Sequence, residues 1–232
     1  MYTLLSRSST NLIDLDIDDD HSCPSYLPPS EFLKDAIFAG GAFWELEAVF
    51  CSADGVVLEG KTGHTEAVKV TYDNRRITYK SLCKLFFESH DPTNKEYLGF
   101  GLNTHWRSAI FYATEEEGKR ARESKVEKQM KVNRRVVTVI LKASTQSFYL
   151  AECHYQKHYL QLPHLLRVSE GLALRCSLQF AGSHLACKLN GIFGGEKRKA
   201  AEKLVCFMNI NQIPEQAKKA LQEVLLDLQL SS

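Results

Sequence analysis

Asp35-Ala36-Ile37-Phe38-Ala39-Gly40-Gly41-Ala42-Phe43-Trp44-Glu45-Leu46-Glu47-Ala48-Val49-Phe50 is the stretch on which the fold turns. Ala36 to Ala39 form a short apolar run, two glycines end it, and from Phe43 to Phe50 the apolar positions recur at helical spacing. This pattern predicts a strand, a glycine turn and a helix. Position 42 therefore stands just before a helix N-terminus, beside backbone N–H groups that have no partner within the helix.

The same alternation continues downstream. Val68, Val70 and Tyr72 have the period of a strand, and Leu82, Leu85 and Phe86 that of a helix, which His90-Asp91-Pro92 ends. Ser108 to Tyr112 is strand-like, Glu115 to Met130 reads as a charged amphipathic helix, and Val136 to Ile140 is β-branched. The order β, α, β, α, β, α, β predicts an α/β protein of the α+β kind, a two-layer α/β sandwich.

Flanking regions differ in character. Residues 1–34 are rich in Ser, Asp and Pro and are expected to form a disordered arm. Beyond Tyr159 the chain reads as helical: Leu162 to Phe180, Ala201 to Phe207, and Glu215 to Leu230, with Asn190-Gly191 and Gly194-Gly195 as breaks. The expected division is a 1–34 arm, a 35–160 sandwich and a 161–232 helical extension. Ala217, Leu221, Val224, Leu225 and Leu228 form one face of the last helix, able to pack on the sandwich or on a partner.

The 232 residues carry 29 basic and 28 acidic side chains, so no global field gathers nucleic acid or anionic lipid. Seven cysteines, an odd number without C-x-x-C spacing, argue against a disulfide framework and a zinc ribbon. His154 and His158 form an isolated i, i+4 pair without a third ligand, so no metal is expected. No run approaches the roughly 20 apolar residues of a membrane span, and the Asp-rich N-terminus suits neither a secretory nor a transit segment. A reducing, cytoplasmic setting is the expectation.

Five blocks carry a resemblance. Gly41-Ala42-Phe43-Trp44 is similar to a G-C-F-W signature. Thr62-Gly63-His64-Thr65-Glu66-Ala67-Val68, His90-Asp91-Pro92-Thr93, Trp106-Arg107-Ser108-Ala109-Ile110, and Phe148-Tyr149 with Ala151-Glu152 follow in order. Together they resemble the peptide methionine sulfoxide reductase A family over about residues 36–160. The resemblance implies a compact α/β sandwich and reduction of peptide or free methionine (S)-S-oxide. A cysteine thiolate attacks the sulfur, and a second thiol or thioredoxin, or dithiothreitol in the test tube, then resolves the sulfenic acid. It also implies roles in protein repair and oxidative stress, with Phe43 and Trp44 as an apolar slot for the substrate methyl and Glu66 as the acid toward the sulfoxide oxygen.

Departures fall on the same site. Ala42 occupies the nucleophile's position and can be neither nucleophile, base nor ligand. The loop that supplies a family tyrosine is missing where Gly55 to Lys61 runs into Thr62. Gly101 stands near a family aspartate, and Trp106 replaces a tyrosine, giving a donor that cannot pass on a proton. In Ala151-Glu152-Cys153-His154-Tyr155-Gln156 the histidine is one place early. The expectation is a pseudoenzyme that keeps substrate-binding Phe43, Trp44, Glu66 and Trp106.

Two alternatives stand beside it. One is an active reductase using a relocated thiol, with Cys153 as the substitute and Cys176, Cys187 and Cys206 where resolving cysteines occur in relatives. Cys51, roughly 13 Å along the helix from Ala42, is expected to play no part. The other is an interaction module working through Val224, Leu225 and Leu228.

Overall fold

Strand β1 (Leu33–Ala39) sits at the centre of a five-stranded sheet in the computed structural model, which describes residues 28–54, 56–61, 65–95, 105–143 and 149–230. Its neighbours are β3 (Val68–Asp73) and β4 (Ala109–Tyr112), both antiparallel to it. β2 (Val56–Lys61) lies outside β3, and β5 (Val139–Lys142) runs parallel to β4, giving the order β2-β3-β1-β4-β5. A parallel pair needs a crossover, and α3 (Glu115–Gln129) supplies it. Thr114 and Glu117 cap that helix reciprocally, Thr114 Oγ1 accepting from Glu117 N while Glu117 Oε2 accepts from Thr114 N.

Alternation along β1 decides which face is covered. Ala36 and Phe38 point into a core built with α1 (Phe43–Ser52) and α2 (Tyr79–Ser89), where Phe38 stacks on Phe50 at 4.8 Å and on Phe86 at 5.4 Å. Ile37 and Ala39 turn to the opposite face, against Ala67, Ala109 and Phe111. The α/β sandwich foreseen from the sequence is therefore present.

The C-terminal region adds α4 (Leu166–Gly171), α5 (Ser177–Gly182), α6 (His184–Phe193), α7 (Lys197–Ile210) and α8 (Glu215–Leu230). They share a second core of Leu160, Leu165, Val168, Leu189, Leu204 and Leu221. Helix α6 serves both cores: Leu189 and Ile192 face the helical one, while Cys187 belongs to the sandwich.

Several expectations need correction. Asn190-Gly191 does not break the chain; both lie inside α6. A Cβ on Gly191 would stand 2.4 Å from Ser52 N, so the glycine permits α6 to lie against the end of α1. Asn190 Oδ1 accepts from Tyr159 N at 3.0 Å and Leu160 N at 3.3 Å, a tertiary role rather than a turn-forming one. Leu162 to Phe180 is not one helix, because a 3-10 turn at Pro163–Leu165 precedes α4 and Ala173 takes the left-handed φ of 56° before α5.

Strand β2 was not foreseen. A register shift between Val56 and Leu58 breaks the alternation that would announce it. β5 starts three residues later than expected, at Val139. Val137 N donates to Pro92 O, and Thr138 O accepts from Lys125 Nζ, so these buried residues bond outside the ladder.

Of the expected arm, residues 1–27 lie outside the described residues, while Ser30–Phe32 form a 3-10 turn and β1 begins at Leu33. The apolar face of α8 is not spare: Leu221 is in the helical core, and Val224, Leu225 and Leu228 pack against it. The three are partly buried, so the face on which an interaction module was expected to rest is shared with the chain's own helical core. Among the described residues no helix is long and apolar enough to cross a membrane.

Candidate functional site

Gly41 carries a φ of 86°, the left-handed region that favours glycine, and this turns β1 abruptly into α1. Ala42 follows as the N-cap, half-buried, with no side chain able to accept from the first turn. A carboxylate from elsewhere does so. Glu66 Oε2 accepts from Phe43 N at 3.3 Å, where the positive end of the helix dipole also favours an anion. Glu66 Oε1 accepts from Trp106 Nε1 at 3.1 Å, and Glu66 N donates to His105 O at 2.7 Å.

The four residues expected to bind substrate, Phe43, Trp44, Glu66 and Trp106, thus come together around Ala42. Their exposure differs. Phe43 is buried with the sandwich core, so the accessible apolar surface comes from half-buried Trp44 and exposed Trp106. Trp44 also meets His158, ring centroids 4.7 Å apart, a contact the sequence reading missed. His64, Gly101 and Phe148 lie outside the described residues.

Cys153 does not join this group. Its Sγ donates to Arg175 O at 3.6 Å, it packs against the helical core, and burial pushes its thiol up. Cys187 is buried against Cys51, at the opposite end of α1 from Ala42, while Cys176 and Cys206 are exposed. Among the described residues no group of three or more His, Cys, Asp and Glu side chains is placed to hold a metal ion.

The His90-Asp91-Pro92-Thr93 block is scaffold. Nδ1 of His90 donates to Phe86 O at 2.8 Å, which leaves Nε2, 2.9 Å from Ser108 Oγ, as an acceptor. Ser108 Oγ in turn lies 2.8 Å from Thr138 Oγ1. Burial lowers the His90 pKa from 6.5 to about 4, keeping the ring neutral. Asp91 Oδ1 accepts from Thr93 N and Oγ1, and those bonds hold its carboxyl below the usual range.

Comparison with known proteins sets this geometry in a lineage. The family model of peptide methionine sulfoxide reductase matches residues 56–173. The peptide methionine sulfoxide reductase MsrA of Deinococcus radiodurans is 38% identical over 156 residues, 58% of this chain and 75% of that one. The chain belongs to the peptide methionine sulfoxide reductase A family. Its relative from Methanococcus maripaludis, also a peptide methionine sulfoxide reductase MsrA, is 36% identical over 55% of this chain and 92% of its own length. The structure of methionine sulfoxide reductase A of Corynebacterium diphtheriae superposes with a TM-score of 0.50 at 27% identity, covering 57% of this chain and 76% of that one. The family match begins at Val56, after Ala42, and ends at Ala173, so helices α5 to α8 lie beyond it.

Proposed function

We propose that this member of the family binds the methionine sulfoxide side chain of peptides, or the free amino acid, around Trp44, Glu66 and Trp106 without reducing it at a useful rate. The observation that carries this reading is the Glu66 carboxylate held between the Phe43 N–H and the Trp106 indole, at the N-terminus of the helix that Ala42 caps. A sulfoxide oxygen would take over a donor that Glu66 now engages, and no sulfur stands at position 42 to attack the substrate. Reduction of a sulfoxide consumes two thiols and releases sulfide, disulfide and water, and a methyl group supplies no electrons to that balance.

The test is reduction of an S-configured methionine sulfoxide peptide by the purified protein with excess dithiothreitol, beside an Ala42→Cys version and a blank without protein. The protein stays at the blank, and Ala42→Cys rises above it, because a thiol at the N-cap gains from the helix dipole. Thioredoxin then substitutes for dithiothreitol as reductant of that version. Turnover by the unmodified protein overturns the proposed loss of chemistry. Failure of Ala42→Cys overturns the placing of the sulfoxide at Glu66.

A further inference from the structure

Cys51 and Cys187 are 136 positions apart in sequence, yet their sulfurs stand 2.8 Å from one another, both fully buried. One sulfur comes from the last turn of α1 and the other from α6. The backbone already brings the helices to close range there: Gly191, one turn beyond Cys187, lies against Ser52 N, and Lys188 Nζ donates to Ala53 O at 2.6 Å. A disulfide bond is about 2.05 Å long, so its closure moves the two sulfurs together by less than an ångström.

Surroundings distinguish this pair from ordinary core cysteines. Burial raises the thiol of Cys83, in the same core, to about 12, in spite of a hydrogen bond with Tyr79 that lowers it. Cys187 goes the other way: its hydrogen bond with Cys51 lowers it, against burial, with the charges of Lys157 and Lys188 adding to the effect. Open space comes up to the pair on the Cys51 side, while Cys187 does not line it. A cavity of about 670 Å³ opens between the sandwich and the helices, lined by Cys51, Ser52, Lys188, Gly191 and Phe207 among others.

We propose that Cys51 and Cys187 form a redox couple that hydrogen peroxide converts to a disulfide, tying the C-terminal helices to the α/β sandwich. In the first step the thiolate of one cysteine of the pair attacks an oxygen of hydrogen peroxide; an S–O bond forms, the O–O bond breaks, and hydroxide leaves and takes a proton as water. In the second, the other sulfur of the pair attacks the sulfenic sulfur; the S–S bond forms, the S–O bond breaks, and the hydroxyl leaves as water with that thiol's proton. Two thiols lose two electrons and one peroxide becomes two waters. This couple is separate from Ala42 and from the proposed sulfoxide site, and its test is independent of both.

The full-length folded protein is treated with hydrogen peroxide, denatured in an alkylating reagent, and mapped by mass spectrometry without reduction. The expected result is a linked peptide joining Cys51 to Cys187, released by dithiothreitol, while Cys83 alkylates fully. Full alkylation of Cys51 and Cys187 after peroxide, or a link that joins either to another cysteine, overturns the proposal. Cys51→Ser and Cys187→Ser each abolish the link, and the wild-type map decides the question even where such a variant folds poorly.

Discussion

Lys157 Nζ lies 2.8 Å from Glu47 Oε1, and both side chains are buried, so a residue of the family-like region is tied to the middle of α1 by a charge pair that water does not reach. Asn190 Nδ2 reaches the second oxygen of Glu47 at 3.5 Å, which brings α6 into the same network. Removing one charge of such a pair leaves the other buried and alone, at a cost of about 3–5 kcal/mol. Glu47→Gln and Lys157→Met are each expected to lower the urea midpoint strongly. The double variant Glu47→Leu/Lys157→Met recovers most of that loss. A loss in the double variant equal to the sum of the two single losses would show that the pair is not a unit.

Close approach of α1 and α6 makes a second prediction from Gly191. A Cβ there meets Ser52 N and the carbonyl carbon of Cys51 at 2.4 and 2.6 Å, backbone atoms that cannot swing aside. Gly191→Ala is expected to destabilise by at least about 1–3 kcal/mol, the range for overpacking. Gly182→Ala is its control, since nothing lies within 4 Å of a Cβ there, and that change is expected to be neutral or slightly stabilising. Thermal melting of the two variants beside the wild type reads the contrast.

His90 predicts a pH dependence. Its folded pKa of about 4 lies below the ordinary 6.5, so between those values the unfolded chain binds the extra proton. Stability contributed by the neutral ring is complete above about 6.5 and is lost as pH falls toward 4, by up to about 3 kcal/mol. Urea unfolding at intervals from pH 7 to pH 4.5 is expected to show this slope in the wild type and a shallower one in His90→Gln. Identical slopes would assign the acid sensitivity to other groups.

Legibility in the sequence tracked locality. Strands and helices with an uninterrupted period, such as Ala36 to Ala39 and Phe43 to Phe50, were readable because burial of one face is written into neighbouring residues. β2 was not, since a bulge at Val56 to Leu58 erases the period, and Asn190-Gly191 looked like a break because a glycine needed for a neighbour 139 positions away resembles one needed for a turn. The motif order also runs through three residues that the structure joins, since Glu66 bonds to Phe43 N and to Trp106 Nε1. The Cys51–Cys187 and Trp44–His158 contacts had no local signature, because each joins segments that only the tertiary fold brings together.

Trp44 and Trp106 are the only two tryptophans of the chain, and both belong to the candidate site, so intrinsic fluorescence reports on it directly. Titration with a peptide containing S-configured methionine sulfoxide is expected to change the emission saturably, whereas the same peptide with unoxidised methionine, lacking the polar oxygen, binds at least several-fold more weakly. Trp106→Phe removes the donor to Glu66 Oε1 and the exposed wall of the site together, and is expected to weaken binding about tenfold, the effect of losing roughly 1.4 kcal/mol. Glu66→Ala removes the acceptor that engages both Phe43 N and the indole, freeing Trp106 to move, and is expected to abolish the saturable change while leaving the fold intact by circular dichroism. Emission that ignores the sulfoxide peptide in the wild type would remove Trp44, Glu66 and Trp106 from the functional site altogether.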